Sequence, residues 1–267
     1  MTETNFEVID SSADSPIILH IPHSSRRIPE EIKNALLIAG DELERELDEA
    51  TDALTDLLAL RAIDLLGESR PSLFINRQSR FVIDPERFPD DREPMNRVGM
   101  GAVYLKTTSG ADLRPANFET GELLESYFHP YAAAFTELVE KVLVAHDEAI
   151  IIDVHSYRAH QHLNAINHGQ KRPAICVGTD AFHTPTWLRD HFFQEFGAIG
   201  ECFENEPYAG TYVPLAHYGK DSRVLSIMME TRADTFLDDD LQPHHGFDRV
   251  ATALSRVLLG IEGFRRI

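Results

Sequence analysis

Short apolar runs alternate with amphipathic stretches along most of the chain. "PIILHI" (16–21), "SLFIN" (72–76), "RFVID" (80–84), "AIIIDVH" (149–155), "PAICVG" (173–178) and "RVLSIMME" (223–230) are brief and rich in β-branched or aromatic residues, which predicts strands. Between them, "DELERELDEATDALTDLLALRAIDLL" (41–66) carries Leu43, Leu47, Ala50, Leu54, Leu57 and Leu58 near helical spacing, which predicts one long helix. Residues 120–147 also read as helical, with a break or kink at Pro130, since proline lacks the amide proton an inner turn needs. Further helices are predicted around 184–196 and over 241–262, and 85–115 reads as an irregular Pro- and Arg-rich loop. Continuous apolar strands separated by helices imply a sheet covered on both faces. The expectation is one α/β domain over residues 1–267, as no repeat, low-complexity tract or linker marks a boundary.

Composition changes this picture modestly. With 267 residues, of which 43% are hydrophobic, the chain can fill a sizeable core. The formal net charge of −19 argues against a nucleic-acid partner or an anionic membrane surface, both of which need a basic face. An acidic ligand would need a local group of arginines or a cation. The stretch "MTETNFEVIDSSADS" has neither the basic flank nor the apolar core of a signal peptide, and no run reaches the roughly 18 apolar residues of a membrane helix. Cys176 and Cys202 form no C-x-x-C pair and read as buried free thiols. A soluble cytoplasmic protein is expected.

Candidate chemistry sits where apolar strands run into polar residues. Ile21 and Pro22 lead into His23, Ser24 and Ser25; "AIIIDV" leads into His155, Ser156 and Tyr157; "VLSIMM" leads into Glu230 and Arg232. Ligands and catalytic groups gather at strand ends of α/β sheets. Two imidazoles and a carboxylate suffice for a mononuclear zinc hydrolase, with a further carboxylate to move a proton. Each also has a plainer reading, as a loop hydrogen-bonder or, for Glu230, a partner of Arg232. His160 and His162, in "RAHQH", form a competing H-x-H pair with no predicted rigid element beneath them, while His244 and His245 read as surface residues.

"DVHSY" (153–157) followed by "METRAD" (229–234) resembles the zinc carboxypeptidase pattern. More closely, "IPHSSRRIPE" (21–30), "SRFVIDPER" (79–87), "DVHSY" and "NEPYAGTYVPLAHYG" (205–219) resemble, in order, the N-formylglutamate amidohydrolase family. The resemblance implies a phosphorylase/hydrolase-like three-layer α/β/α fold with a mixed, largely parallel sheet. It also implies one zinc ion and hydrolysis of a small acidic N-acyl amino acid.

Carried over by position, the resemblance makes His23 and His155 metal ligands and Glu230 the general base. Carboxypeptidases place a glutamate three residues after the first histidine, where this chain has Arg26. The amidohydrolase pattern instead supplies an aspartate from the next helix, which falls on Asp48, with Asp52 one turn further on. On one continuous helix both point away from the leucine stripe, as solvated acids do. Among Arg77, Arg80 and Arg87, whose planar forks suit carboxylates, the family pattern selects Arg80 and Arg87 for the substrate. Asn205, Tyr212 and His217 match its substrate loop, where two adjacent glycines are replaced by Gly210 and Thr211. The rival expectations are a carboxypeptidase-like peptidase or other N-acyl amino-acid deacylase, and a metal-free binding protein on the same scaffold.

Overall fold

The computed structural model describes residues 4–10, 15–66 and 70–265. Seven strands, β1 (Phe6–Ile9), β2 (Ile17–Ile21), β3 (Ser72–Asn76), β4 (Ala149–Tyr157), β5 (Ile175–Gly178), β6 (Cys202–Glu204) and β7 (Val224–Arg232), form one sheet in the order β1-β3-β2-β4-β7-β5-β6. The central four, β3-β2-β4-β7, are parallel; β1 joins β3 and β5 joins β7 in antiparallel fashion, and β6 runs parallel to β5. All nine residues of β4 are buried, as a middle strand covered on both faces requires.

The helices are α1 (Glu30–Lys33), α2 (Gly40–Ala50), α3 (Thr55–Asp64), α4 (Gly121–Leu123), α5 (His129–His146), α6 (Thr186–Phe196) and α7 (Gly246–Arg265). On one face Ile150, Ile152 and Val154 of β4 pack with Leu58 and Ala62 of α3, Phe192 and Phe196 of α6, and Leu254 and Val257 of α7. On the other, Ala149 and Ile151 pack with Tyr131, Phe135 and Val139 of α5. The strand period of two therefore sorts even residues of β4 to the three-helix face and odd residues to the α5 face. Asp153 and His155 are odd, so they emerge on the α5 side, at the parallel strands' C-terminal ends. Among the described residues no helix is long and apolar enough to cross a membrane.

Two expectations from the chain's pattern are corrected, and a third is refined. The predicted helix over 41–66 is two helices, since α2 stops at Ala50, Thr51 is extended, and Leu54 takes left-handed backbone with φ 61° before α3 begins. Residues 80–84 are a buried turn and not a strand. The Val82 amide donates to the Ser79 carbonyl (2.8 Å) and Asp84 to Ala102 (2.8 Å), while the buried Arg114 guanidinium donates to the carbonyls of Phe81 and Tyr104. Burial made the segment apolar, but a side chain and the neighbouring loop satisfy its backbone. Over 120–147, α4 runs through a π-helical stretch from Leu124 to Phe128 directly into α5, and Pro130 stands in the first turn of α5 beside that change of helical period, so the break expected there is a π-helical insert.

Candidate functional site

His23 lies just past β2, and the break between α2 and α3 lies beside it, where the Asp52 amide donates to the His23 carbonyl (3.0 Å). Freed from helical geometry, the Asp52 carboxylate turns inward. Its Oδ2 lies 2.9 Å from Nδ1 of His155 and 3.7 Å from Nδ1 of His23, and the two Nδ1 atoms are 3.2 Å apart. Tetrahedral zinc with bonds of about 2.0–2.1 Å sets neighbouring ligand atoms about 3.3 Å apart, so these three spacings bracket what the ion needs.

The far side of each ring is held by a carboxylate. Nε2 of His23 is 2.9 Å from Oδ1 of Asp84, and Nε2 of His155 is 3.2 Å from Oδ1 of Asp153 and 3.3 Å from Glu86. Such partners hold the proton on Nε2, so that loss of the Nδ1 proton turns a lone pair toward the site, the arrangement that orients histidine ligands. Asp84 also accepts from the Tyr104 hydroxyl (3.1 Å) and is flanked by Arg80 and Arg87 (3.4 Å each). Asp153 lies 2.8 Å from Nδ1 of His20, its Cα partner across β2 and β4, and accepts from the Tyr212 amide (3.1 Å). The other ring nitrogen of His20 meets the Tyr131 hydroxyl at 2.6 Å. Asp84 and Asp153 are thus occupied elsewhere, which leaves Asp52 as the carboxylate that both Nδ1 atoms face.

Electrostatics agree with this division. Burial opposes ionisation of Asp52, yet hydrogen bonds from His155 and His23 outweigh it and hold the carboxyl far below its usual range. Asp84 and Asp153 are likewise driven down against burial, chiefly by His23 and Arg80 for the first and by His155 for the second. Burial and Arg80 lower the His23 pKa, but Asp84 and Asp52 raise it by more. Burial lowers that of His155, where Glu86, Asp153 and Asp52 win by a wide margin. Protonated imidazoles against ionised carboxylates are suited to exchange their protons for a dication. The donor set fits a metal ion.

Glu230 is the Cα partner of His155 across β4 and β7, so the sheet register alone brings them side by side. Burial pushes its carboxyl up to about 8, and its Oε2 has no hydrogen-bond partner. His23, Asp52, His155, Glu230, Arg80, Arg87 and Tyr212 all line a cleft of ≈ 1030 Å³. Within it, Arg80 lies 2.6 Å from Nδ1 of His23, and the Nε atoms of Arg80 and Arg87 have no hydrogen-bond partner.

Other expected residues are placed elsewhere. Asp48 is on the outer face of α2, 47% exposed and paired with Arg26, which also binds Glu44 (2.8 Å). Asp48 therefore cannot join the two histidines, and the arginine found where carboxypeptidases have glutamate serves a surface ion pair. Asn205 does not line the cleft: its Oδ1 accepts from the amides of Thr179 (2.9 Å) and Gly210 (3.1 Å), so it braces the loop. His217 is also outside the lining, 3.7 Å from Asp221. Gly210 has φ 89° and needs glycine's freedom, whereas Thr211 has no such backbone and bonds Ser226 through its hydroxyl (2.7 Å). One glycine suffices for this turn.

The sequence assigned His20, Asp84, Glu86 and Asp153 no role beside the ligands, although Arg80 and Arg87 do pair with Asp84 as neighbouring opposite charges should. Two signals pointed to His20 and Asp153: an imidazole inside the apolar run "IILHI", and an acid two residues before His155, hence on the same strand face.

A mixed α/β sheet bearing histidines and carboxylates at its parallel strand ends defines the class, a hydrolase-type α/β protein with a site able to hold a metal. The model of the N-formylglutamate amidohydrolase family matches residues 15–237, and the chain belongs to that family. Among solved structures it is similar to the N-formylglutamate amidohydrolase of Ralstonia eutropha JMP134 (TM-score 0.78, 21% identity, 99% of each chain covered). It is also similar to a gene product of Agrobacterium tumefaciens (TM-score 0.73, 17% identity, 99% of this chain and 97% of that one). No curated protein sequence matches the chain significantly.

Proposed function

We propose that the chain is a zinc-dependent amidohydrolase that cleaves an N-acyl amino acid bearing carboxylates, such as N-formylglutamate, to the free amino acid and a carboxylate. One observation carries the reading: Nδ1 of His23, Nδ1 of His155 and Oδ2 of Asp52 converge within 3.7 Å, beside the unpartnered oxygen of Glu230. His23, His155 and Asp52 would hold the ion. When bound, it supplies Lewis-acid polarisation of the acyl carbonyl and acidifies water.

The protein's own groups do the remainder. Glu230 is the general base: its carboxyl titrates near neutrality for want of solvent and partners, and an approaching dication favours its ionised form. It takes a proton from the attacking water and returns it to the departing amine. Arg80 and Arg87 present donors to the substrate's carboxylates, while Asp84 fixes both guanidiniums from behind. Tyr212 forms one wall, its ring stacked on His20 with centroids 4.8 Å apart.

Glu230→Gln keeps the shape and removes the base. Turnover is expected to fall by about a hundredfold or more while zinc measured by elemental analysis stays bound. Unchanged turnover removes the base assignment, and a wild-type protein purified without stoichiometric metal removes the zinc. Comparing N-formylglutamate with N-acetyl, N-succinyl and dipeptide analogues separates this activity from a peptidase or another deacylase.

A further inference from the structure

The H-x-H pair is not part of this centre. His160 and His162 stand on the connection from β4 to β5, and both reach the same oxygen of Glu49 in the last turn of α2. Nε2 of His160 is 2.6 Å from Oε2 of Glu49, and Nδ1 of His162 is 3.4 Å from it. The three donor atoms lie within 4.8 Å of one another, a looser cluster than the inner set. They surround a second, smaller hollow of ≈ 370 Å³, and Glu49 and His162 line both this hollow and the main cleft. Burial resists ionisation of Glu49, but hydrogen bonds from His162 and His160 draw its carboxyl down to about 2, so an anionic oxygen faces two imidazoles.

We propose that Glu49, His160 and His162 form a second transition-metal site at the lip of the cleft, which clamps the β4–β5 connection to the end of α2. Two imidazoles and a carboxylate select zinc, nickel or copper over magnesium or calcium, which take oxygen ligands. Both imidazoles reach Oε2 of Glu49 from a bend and the irregular chain that follows it, which leaves the remaining positions around an ion open. Position gives the clamp its consequence. Asn164 and Asn167, farther along the same connection, line the main cleft, and Glu49 stands three residues before Asp52. An ion at the lip therefore fixes one wall of the cleft and the segment that delivers Asp52, without touching the inner histidines. Arg158, 3.9 Å from the other oxygen of Glu49, keeps that carboxylate turned so that Oε2 faces the pair.

The test compares wild-type protein with His160→Ala/His162→Ala and, as a milder change, Glu49→Gln. Each is equilibrated with Zn2+, washed and assayed for metal, and hydrogen exchange over residues 158–170 is followed with and without the ion. The proposal requires that wild type hold about one equivalent more than either variant, and that zinc slow exchange in this segment in wild type alone. Equal stoichiometry overturns the site. An extra equivalent without slower exchange overturns the clamp. Asp52→Asn in each background removes the inner carboxylate, and the lip site requires that the one-equivalent difference persist there.

Discussion

Asp48 and Asp52 are one helical turn apart in sequence and differ entirely in surroundings. The first is a solvated acid in a surface pair with Arg26; the second is buried, with its oxygen against two imidazoles. Removing the charge at 52 strips the inner donor set of its carboxylate, whereas at 48 it only loosens an exposed ion pair of small net worth. Asp52→Asn is expected to lose zinc on dialysis and Asp48→Asn to retain it, which elemental analysis decides. Glu230 makes a second case, in the metal-free protein. Its folded-state pKa of about 8 lies above its ordinary value near 4.5, so between these values the native state binds more protons than the unfolded state. Stability from this group therefore falls as pH rises from about 4.5 to about 8. With chelator present, Glu230→Gln is expected to melt above wild type at pH 8, with the gap closing by pH 5; an equal gap at both pH values would contradict this.

At the scale of elements, the site is a consequence of register. The pairings His20 with Asp153 and His155 with Glu230 align four polar side chains on the α5 face, above an apolar stripe that fills the lower part of the same strands. Tyr131, His20, Asp153 and His155 then form a continuous buried chain, with contacts of 2.6, 2.8 and 3.2 Å, that ties the α5 helix to a ligand candidate. His20→Phe preserves the ring and its stacking on Phe135 but removes the nitrogen facing Asp153. Zinc affinity is expected to fall by up to about tenfold, because Asp153, the direct partner of His155, loses its brace, with the fold intact by circular dichroism. Unaltered affinity would show that Asp153 holds its place without His20. Strand ends were legible in the sequence because apolar runs that stop at His23, His155 and Glu230 announce both the strand and the group it carries. The α2–α3 break was not, because leucines on both sides continue one helical period and the interruption depends on a non-glycine residue, Leu54, adopting left-handed backbone. That continuity also hid Asp52, which no projection on a single helix turns toward the sheet. The 80–84 segment misled for a related reason: its apolar residues are buried by the loops around it, and its hydrogen bonds run to Arg114 and Ala102, partners with no periodic trace.

At the scale of the molecule, 44 acidic against 25 basic residues give a field that is negative at a distance, whatever Arg80 and Arg87 do locally. That field attracts a metal cation and repels an anionic substrate, so the two proposed ligands of one cleft should respond to salt in opposite directions. Raising ionic strength from about 0.01 to about 0.15 M shortens the screening length from about 30 to about 8 Å. The two arginines, in contact with the substrate's carboxylates, are screened little over this range, whereas distant surface acids are screened strongly. Zinc affinity is therefore expected to weaken and KM for a doubly charged N-acyl amino acid to fall, each measured in the same buffer series. A KM that rises with salt would show that the arginine pair governs approach as well as contact, and that the overall charge is turned away from the mouth of the cleft.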